Sequence, residues 1–290
     1  MIDLDQVRSF VAVIEAGSFR HAAQRLVLAQ PPVSPHVEKL EARLGHLLVE
    51  RNRARATTTA AGLCFLPFAK ALLRLEERAH AALDRGNLAI GASSNIGVYL
   101  LQPLVRAFAS AQPSTGPIDI RIGTNPETAR RLEDAEVDIA LMEWWDDRPG
   151  FEAAIWRREK LVVIVPPEHP WARRRSVERA MLLREPMIGG EPGTGTARLL
   201  QQTFGVHASS LKIGLELGST EAVKQAVRAG LGISITLESA VRDEVRTGTL
   251  RALRVENTPL AKPLFSIFAT GLSASSPAAQ FHAFLQDART

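Results

Sequence analysis

The chain has 290 residues, about twice the length of an ordinary domain, so two or more compact units are expected. Its composition, 46% hydrophobic and 23% charged, excludes a disordered or collagen-like chain, and no apolar run approaches the ~20 residues that a membrane helix needs. The net charge is +4, and residues 18–58 alone carry seven cations (Arg20, Arg25, Lys39, Arg43, Arg51, Arg53, Arg55) against three anions (Glu38, Glu41, Glu50), the distribution of a phosphate-contacting module beside a near-neutral remainder.

The amino end, Met1-Ile2-Asp3-Leu4-Asp5, is acidic where a secretory leader is basic, which predicts a cytoplasmic protein. Val7, Phe10, Val11 and Ile14 then follow the i, i+3, i+4, i+7 spacing of one helix face, and Gly17 ends that helix. Ser18 is placed to cap a second helix through Phe19, Ala22, Ala23 and Leu26. After a turn at Val27-Leu28-Ala29, a third helix is predicted from Gln30-Pro31 to Leu44, with Val33, Val37, Leu40 and Leu44 inward and Gly45 as its stop. Two helices joined by so short a turn, the second with a polar outer face, form a helix-turn-helix whose second helix fits the major groove.

The ordered run Phe10-Val11-Ala12-Val13-Ile14-Glu15-Ala16-Gly17-Ser18-Phe19, then Ala22-Ala23-Gln24-Arg25-Leu26, Gln30-Pro31, Val33-Ser34, Leu40-Glu41, Leu44-Gly45, Glu50-Arg51 and Thr59-Ala60-Ala61-Gly62, resembles the amino-terminal winged helix-turn-helix of LysR-type transcriptional regulators. Ala29 stands where that family usually has serine, and Pro35 where it usually has a basic residue. Pro35 lacks an amide about one turn into the helix, so a kink is expected there.

Gln30, Ser34 and His36 occupy the leading outward part of the third helix, where glutamine can pair with adenine and histidine can donate to guanine or phosphate. Arg51, Arg53 and Arg55 follow where a wing would lie and are assigned to the duplex backbone. A solvated charge cluster, or a structural ion pair for Arg51, is the alternative for each residue taken singly.

From Thr59 a helix can run to about Asp84, with Phe65, Phe68, Leu72, Leu75, Ala79 and Ala82 spaced as a heptad seam. Its expected partner is the same helix of a second chain, and the homodimer would read an inverted repeat. Pro67 lies inside this helix, and the LysR family often carries proline there. Cys64, the sole cysteine, excludes an intrachain disulfide and reads as a small buried residue.

Beyond Arg85-Gly86-Asn87 the pattern changes to short β-rich runs at 88–92, 118–123, 137–142, 161–165, 187–188, 212–217, 232–236 and 265–270. Helical stretches at 97–109, 126–134, 196–204, 220–229 and 278–287 lie between or after them, the alternation of an α/β sheet. The expected fold class is therefore a multidomain α+β chain with three parts: a winged helix-turn-helix (1–58), a linker and dimerisation helix (59–87) and an effector-binding domain (88–290). The resemblance implies that this last domain has two lobes like a periplasmic binding protein, lobe I at about 88–165 and 263–290 and lobe II at about 166–262. It also implies pairing of dimers into tetramers through the sensor lobes.

Ligands of such sheets bind beyond the carboxyl ends of strands. Four junctions there are rich in small polar residues: Ser93-Ser94-Asn95, Thr124-Asn125, Gly193-Thr194-Gly195-Thr196 and Gly218-Ser219-Thr220. Each alone reads as a helix cap, and their convergence on one cleft is the functional expectation. Glu143-Trp144-Trp145 follows the third strand, and one tryptophan, taken as Trp144, is expected to face a ligand. The segments Glu191-Pro192-Gly193-Thr194-Gly195-Thr196 and Leu217-Gly218-Ser219-Thr220-Glu221-Ala222-Val223-Lys224 resemble the LysR subgroup linked to sulfur assimilation and inorganic-anion sensing. A small anionic effector is therefore expected at Ser93, Ser94, Asn95, Thr124, Asn125, Glu143, Trp144, Gly193, Thr194, Ser219 and Thr220.

Arg198 stands where a dinucleotide fingerprint would need a third glycine after Gly193 and Gly195, and the seven histidines lack metal-ligand spacing. With no hydrolase or phosphate-loop motif either, no cofactor, metal or catalytic residue is assigned. The competing expectation is a cytoplasmic solute-binding protein or enzyme with a degenerate helix-turn-helix, motivated by Pro32 and Pro35.

Overall fold

The computed structural model describes residues 2–26, 33–51, 55–190, 195–204, 212–258 and 260–288. The chain divides into two compact units, Met1–Arg85 with Glu133–Glu136, and Gly86–Leu132 with Val137–Thr290.

In the first unit α1 (Leu4–Ala16) ends at Gly17, whose φ of 66° is the left-handed conformation that suits glycine. The Ser18 hydroxyl then accepts from the His21 amide at 3.1 Å and caps α2 (Phe19–Arg25). The turn at 27–29 and the start expected at Gln30-Pro31 lie outside the described residues. Helix α3 (Val33–Leu44) buries Val33, Val37 and Leu40 against Val7, Phe10 and Val13 of α1. It runs unbroken past Pro35, its third residue, so the expected kink is absent. Near a helix start the amide has no partner carbonyl to lose.

Strands β1 (Val49–Arg51) and β2 (Ala56–Thr58) form the antiparallel wing, and α4 (Ala60–Arg85) leaves it as a single helix through Pro67. Thr59 caps α4 by accepting from the Gly62 amide at 2.9 Å while donating to the Leu47 carbonyl at 2.6 Å. Two expectations for α4 need correction. Phe65 turns back to its own module, its ring 5.8 Å from Phe10, so the free stripe begins with Phe68. Cys64 is exposed, because it lies on the helix face turned away from Phe65, Ala69 and Leu73, which pack inward.

The second unit is a two-lobed α/β domain. Strand β3 (Leu88–Ser93) pairs in parallel with β4 (Ile118–Gly123) and β5 (Ile139–Met142). Helices α5 (Ser94–Tyr99) and α6 (Leu101–Ala111), then α7 (Asn125–Glu133), follow β3 and β4. The single helix expected at 97–109 is thus two, interrupted at Leu100, and Pro103 falls in the first turn of α6, where its missing amide does no harm.

The long strand β6 (Phe151–Val165) serves both lobes, and β12 (Ala261–Ala269) runs antiparallel between it and β5. The apolar pattern predicts only the last third of β6, because residues 157–160 are Arg-Arg-Glu-Lys and mask the rest. Between β6 and β12 the chain forms β7 (Ser176–Val177), α8 (Arg179–Leu182), β8 (Pro186–Gly189), α9 (Thr196–Phe204), β9 (Lys212–Glu216), α10 (Thr220–Arg228), β10 (Ser234–Leu237), a 3-10 turn (Glu238–Val241), α11 (Arg242–Thr247) and β11 (Arg251–Val255). Strands β10 and β11 pair with the far half of β6, while β8 and β9 pair in parallel. Closing the chain, α12 (Pro277–Asp287) packs Phe281 against Phe108 of α6. Each lobe has its own core, one around Ile90, Leu141 and Phe281 and the other around Val163, Leu182 and Ile233.

Candidate functional site

Two groups of predicted residues lie in two different units. In the first, the Arg51 guanidinium donates to Ser34 Oγ at 3.1 Å and Glu38 Oε1 at 2.9 Å, and lies 5.0 Å over the Phe19 ring. The Arg51 bond, helped by Ser34, holds the Glu38 carboxyl below the usual carboxylate range. Arg51 therefore ties the wing to α2 and α3, the ion-pair alternative considered for it, with its charge still at the surface. His36 turns toward α1, its Nδ1 3.0 Å from Ser9 Oγ. Arg55 is exposed beside Gly17. Gln30 and Arg53 lie outside the described residues.

Glu41, given no site role from the sequence, is buried and accepts from the amides of Leu48 and Val49 at 2.8 and 3.0 Å. Its carboxylate takes the two donors at the entry to the wing. Glu41→Ala leaves both amides unpaired, and the wing is expected to lose about 3 kcal/mol of local stability. Hydrogen exchange at Leu48 and Val49 checks this: unchanged protection would contradict the role.

In the second unit the ends of β3, β4 and β5 meet. Asn125 accepts from the Glu143 amide at 2.8 Å and donates to the Trp144 carbonyl at 3.1 Å, fixing the backbone that presents both side chains. Asn95 Nδ2 donates to Glu143 Oε1 at 3.1 Å, and Thr220, at the start of α10, donates to Asn95 Oδ1 at 2.6 Å. One hydrogen-bond chain thus crosses from one lobe to the other. Glu143 and Lys262 are both buried, 1% and 2% exposed, and form an ion pair, while Lys262 Nζ is also 3.3 Å from Thr196 Oγ1 at the start of α9.

The aromatic wall follows the same division. Arg198 of α9 lies 4.9 Å over the Trp144 ring, and a Cβ on Gly195, whose φ is +73°, would stand 2.9 Å from Trp144 Cδ1. Trp145 instead packs edge-on against Phe151.

Other predicted residues have structural duties. Ser94 Oγ donates to the Gly123 carbonyl at 2.9 Å, and Ser219 caps α10 through the Ala222 amide at 3.2 Å. Thr124 forms a reciprocal cap with Glu127, whose carboxyl the Thr124 amide holds low. Ser93 is buried, and its hydroxyl has no partner among the described residues. Gly193 and Thr194 lie outside the described residues.

The sequence reading missed Lys262, Thr196 and Arg198 as site residues. The available signal was a lone lysine in the apolar strand 261–269, at the expected crossover between lobes. It also missed Lys224, which donates to Glu244 at 2.6 Å, pairs with Glu221 at 2.7 Å and lies 5.1 Å from the Tyr99 ring centre. Burial pushes the Lys224 pKa down, but the bonds to Glu221 and Glu244 outweigh it and the pKa is raised.

Among the described residues no helix is long and apolar enough to cross a membrane, and no cluster of three or more His, Cys, Asp or Glu could hold a metal ion.

Residues 4–63 match the bacterial regulatory helix-turn-helix proteins of the lysR family, and residues 81–290 match the LysR substrate binding domain. The chain belongs to the LysR family of transcriptional regulators. Similar proteins include PtxE of Stutzerimonas stutzeri, named as an HTH-type transcriptional regulator protein, which is 47% identical over 190 residues, 66% of this chain and 97% of that one. The RuBisCO operon transcriptional regulator of Allochromatium vinosum is 32% identical over 98% of this chain and 95% of its own. The crystal structure of CbnR, a LysR family transcriptional regulator, shares the fold with a TM-score of 0.67 at 23% identity, covering 99% of both chains. The family and these relatives regulate transcription, so the enzyme reading falls away.

Proposed function

We propose that this LysR-family regulator reads an inverted-repeat operator as a cytoplasmic homodimer, with dimers joining into tetramers through the sensor lobes. A small anionic metabolite between the lobes modulates its operator binding or its activation of transcription. The lobes in this reading are 88–165 with 263–290, and 166–262. Gln30, Ser34, His36, Arg51, Arg53 and Arg55 contact the duplex. Ser93, Ser94, Asn95, Thr124, Asn125, Glu143, Trp144, Gly193, Thr194, Ser219 and Thr220 form or frame the effector site.

The observation that carries the effector reading is buried Lys262, within reach of Glu143 on one side and Thr196 on the other. An entering anion shares that ammonium with Glu143 or takes its place. Either change alters a contact spanning the lobes, which is how differential affinity for two lobe arrangements becomes a signal. A thermal-shift screen of sulfate, phosphate, dicarboxylates and aromatic acids tests it, since a ligand selective for the folded state raises the melting temperature. Stabilisation by neutral or cationic compounds alone would refute the anion class.

The DNA reading has its own test, a gel shift with the neighbouring intergenic DNA over a salt series. Arg55→Ala is expected to weaken binding of all sequences alike and to lower the salt slope by about one. Arg51→Ala is expected to cost more, since it also releases Glu38 and Ser34. Equal losses for the two variants would argue against the tethering role of Arg51.

A further inference from the structure

We infer that a second anion site, separate from the inter-lobe cleft, lies in the notch beside residues 157–160 of β6, and that it takes a small polyanion carrying two or more phosphate or carboxylate groups. The notch exists because of strand register. The pairing of β10 with β6 extends no farther toward residue 157 than Leu237 opposite Leu161, and that of β11 no farther than Leu253 opposite Val163, whereas β12 pairs with β6 all along residues 157–160. On its other edge this stretch therefore has no neighbouring strand among the described residues. The 3-10 turn and the start of α11 form the opposite wall.

The resulting cavity has a volume of about 430 Å³, within the ordinary range for small-molecule sites. Arg157, Arg158, Lys160 and Arg242 line it against two carboxylates, Glu159 and Glu238. Glu159 is already engaged: it accepts from Arg157 Nε at 2.7 Å and from the Ser239 amide at 3.2 Å. Arg158, Lys160 and Arg242 have no ion-pair partner among the described residues, so the cavity holds cations in excess of its anions. Like charges gathered around a concave surface focus a positive potential that an anion relieves, an effect that salt screens where the side chains are exposed. Ser239 adds a second kind of evidence. It is one of the residues lining the cavity, and its buried hydroxyl has no hydrogen-bond partner among the described residues, so a rotation of that side chain would give it a ligand oxygen to bond.

The position gives the site a consequence. Arg158 and Lys160 belong to the crossover strand that serves both lobes, while Arg242 starts α11. Glu159, a buried residue beside the cavity, is the cross-strand partner of Lys262. A polyanion bridging these elements would stiffen the crossover beside the lysine of the inter-lobe site.

Calorimetric titration of the full-length protein at low salt, with pyrophosphate in one arm and citrate in the other, tests the inference. The variants are Lys160→Ala with Arg242→Ala for the notch, Thr220→Ala for the inter-lobe cleft and Arg55→Ala for the DNA-reading module. Lys160, Arg242 and Arg55 are exposed, so folding is not at stake in those variants. At least one polyanion is expected to bind the wild type and to lose on the order of tenfold in affinity in the notch variant, with near-wild-type affinity in the other two. No binding of either polyanion, an unchanged affinity in the notch variant, or an equal fall in Thr220→Ala or Arg55→Ala would overturn it. The inter-lobe proposal stands or falls separately, on the thermal-shift screen of small anions and its loss in Lys262→Met.

Discussion

Lys262→Met is expected to destabilise the sensor domain by about 3–5 kcal/mol and to abolish its thermal response to anions. Glu143 is 1% exposed, and Lys262 is its cationic partner. Asn95 and the backbone held by Asn125 orient Glu143 but bring no charge. Taking the ammonium away strands a carboxylate where water cannot reach it, and that penalty exceeds the worth of the pair itself. A companion variant separates the two effects. Lys262→Met with Glu143→Gln removes both charges and is expected to recover most of the stability, as measured by urea denaturation, without recovering the anion response. If the double variant stays as unstable as Lys262→Met, the lost packing of the lysine stem is the cause and the charge argument fails. If the single variant keeps its anion-induced melting shift, Lys262 is no part of the effector site.

Much of this site is legible in the amino-acid sequence, for a definite reason. Asn95, Asn125, Glu143 and Thr220 all stand where a strand hands over to a helix or loop; the parallel strands β3, β4 and β5 gather the first three at one end of their sheet, and Thr220 follows β9 of a second parallel pair. Periodicity finds the strands, and chain order finds their carboxyl ends. The partner of Glu143 is not legible, because Lys262 is far along the chain and its position opposite Glu159 is set by the register of β12 on β6. For the same reason the first two-thirds of β6 escapes the sequence pattern: strand identity there comes from β12 pairing, against a run of charges that reads as solvent-facing. The recognition module shows a similar limit. Helical spacing puts Ser34 and His36 in the right helix, but a histidine bonded to Ser9 and an arginine tied to Glu38 depend on how α1, α3 and the wing close on one another. Phe65 and Cys64 make the point within α4, where a heptad template cannot tell which turn packs on its own module and which is left for a partner.

Leu75→Glu is expected to abolish dimerisation and to lower affinity for a two-half-site operator by 10² to 10⁴, on the order of the gain from linking two binding modules. Along α4, Phe68 and Leu75 are 63% and 54% exposed. With Leu72 and Ala79 they continue the stripe begun by Phe65 after that residue has turned inward. Leu4, Leu72, Leu75 and Ala79 also line one shallow apolar groove. Large apolar side chains spaced by three and four on a 26-residue helix are the pattern of a helix that buries its face against another. A glutamate at the centre of that face would bring a charge from each protomer into the seam and leave the module fold untouched, since Leu75 makes no part of the core around Phe10. Sedimentation velocity on the full-length variant, alongside gel shifts on one-half-site and two-half-site DNA, reads the outcome. The expected pattern is a monomer that binds both DNAs with the same weak affinity. A dimer that persists in Leu75→Glu would move the interface off α4, and a monomer that keeps full affinity for the longer site would mean that DNA reading does not depend on pairing.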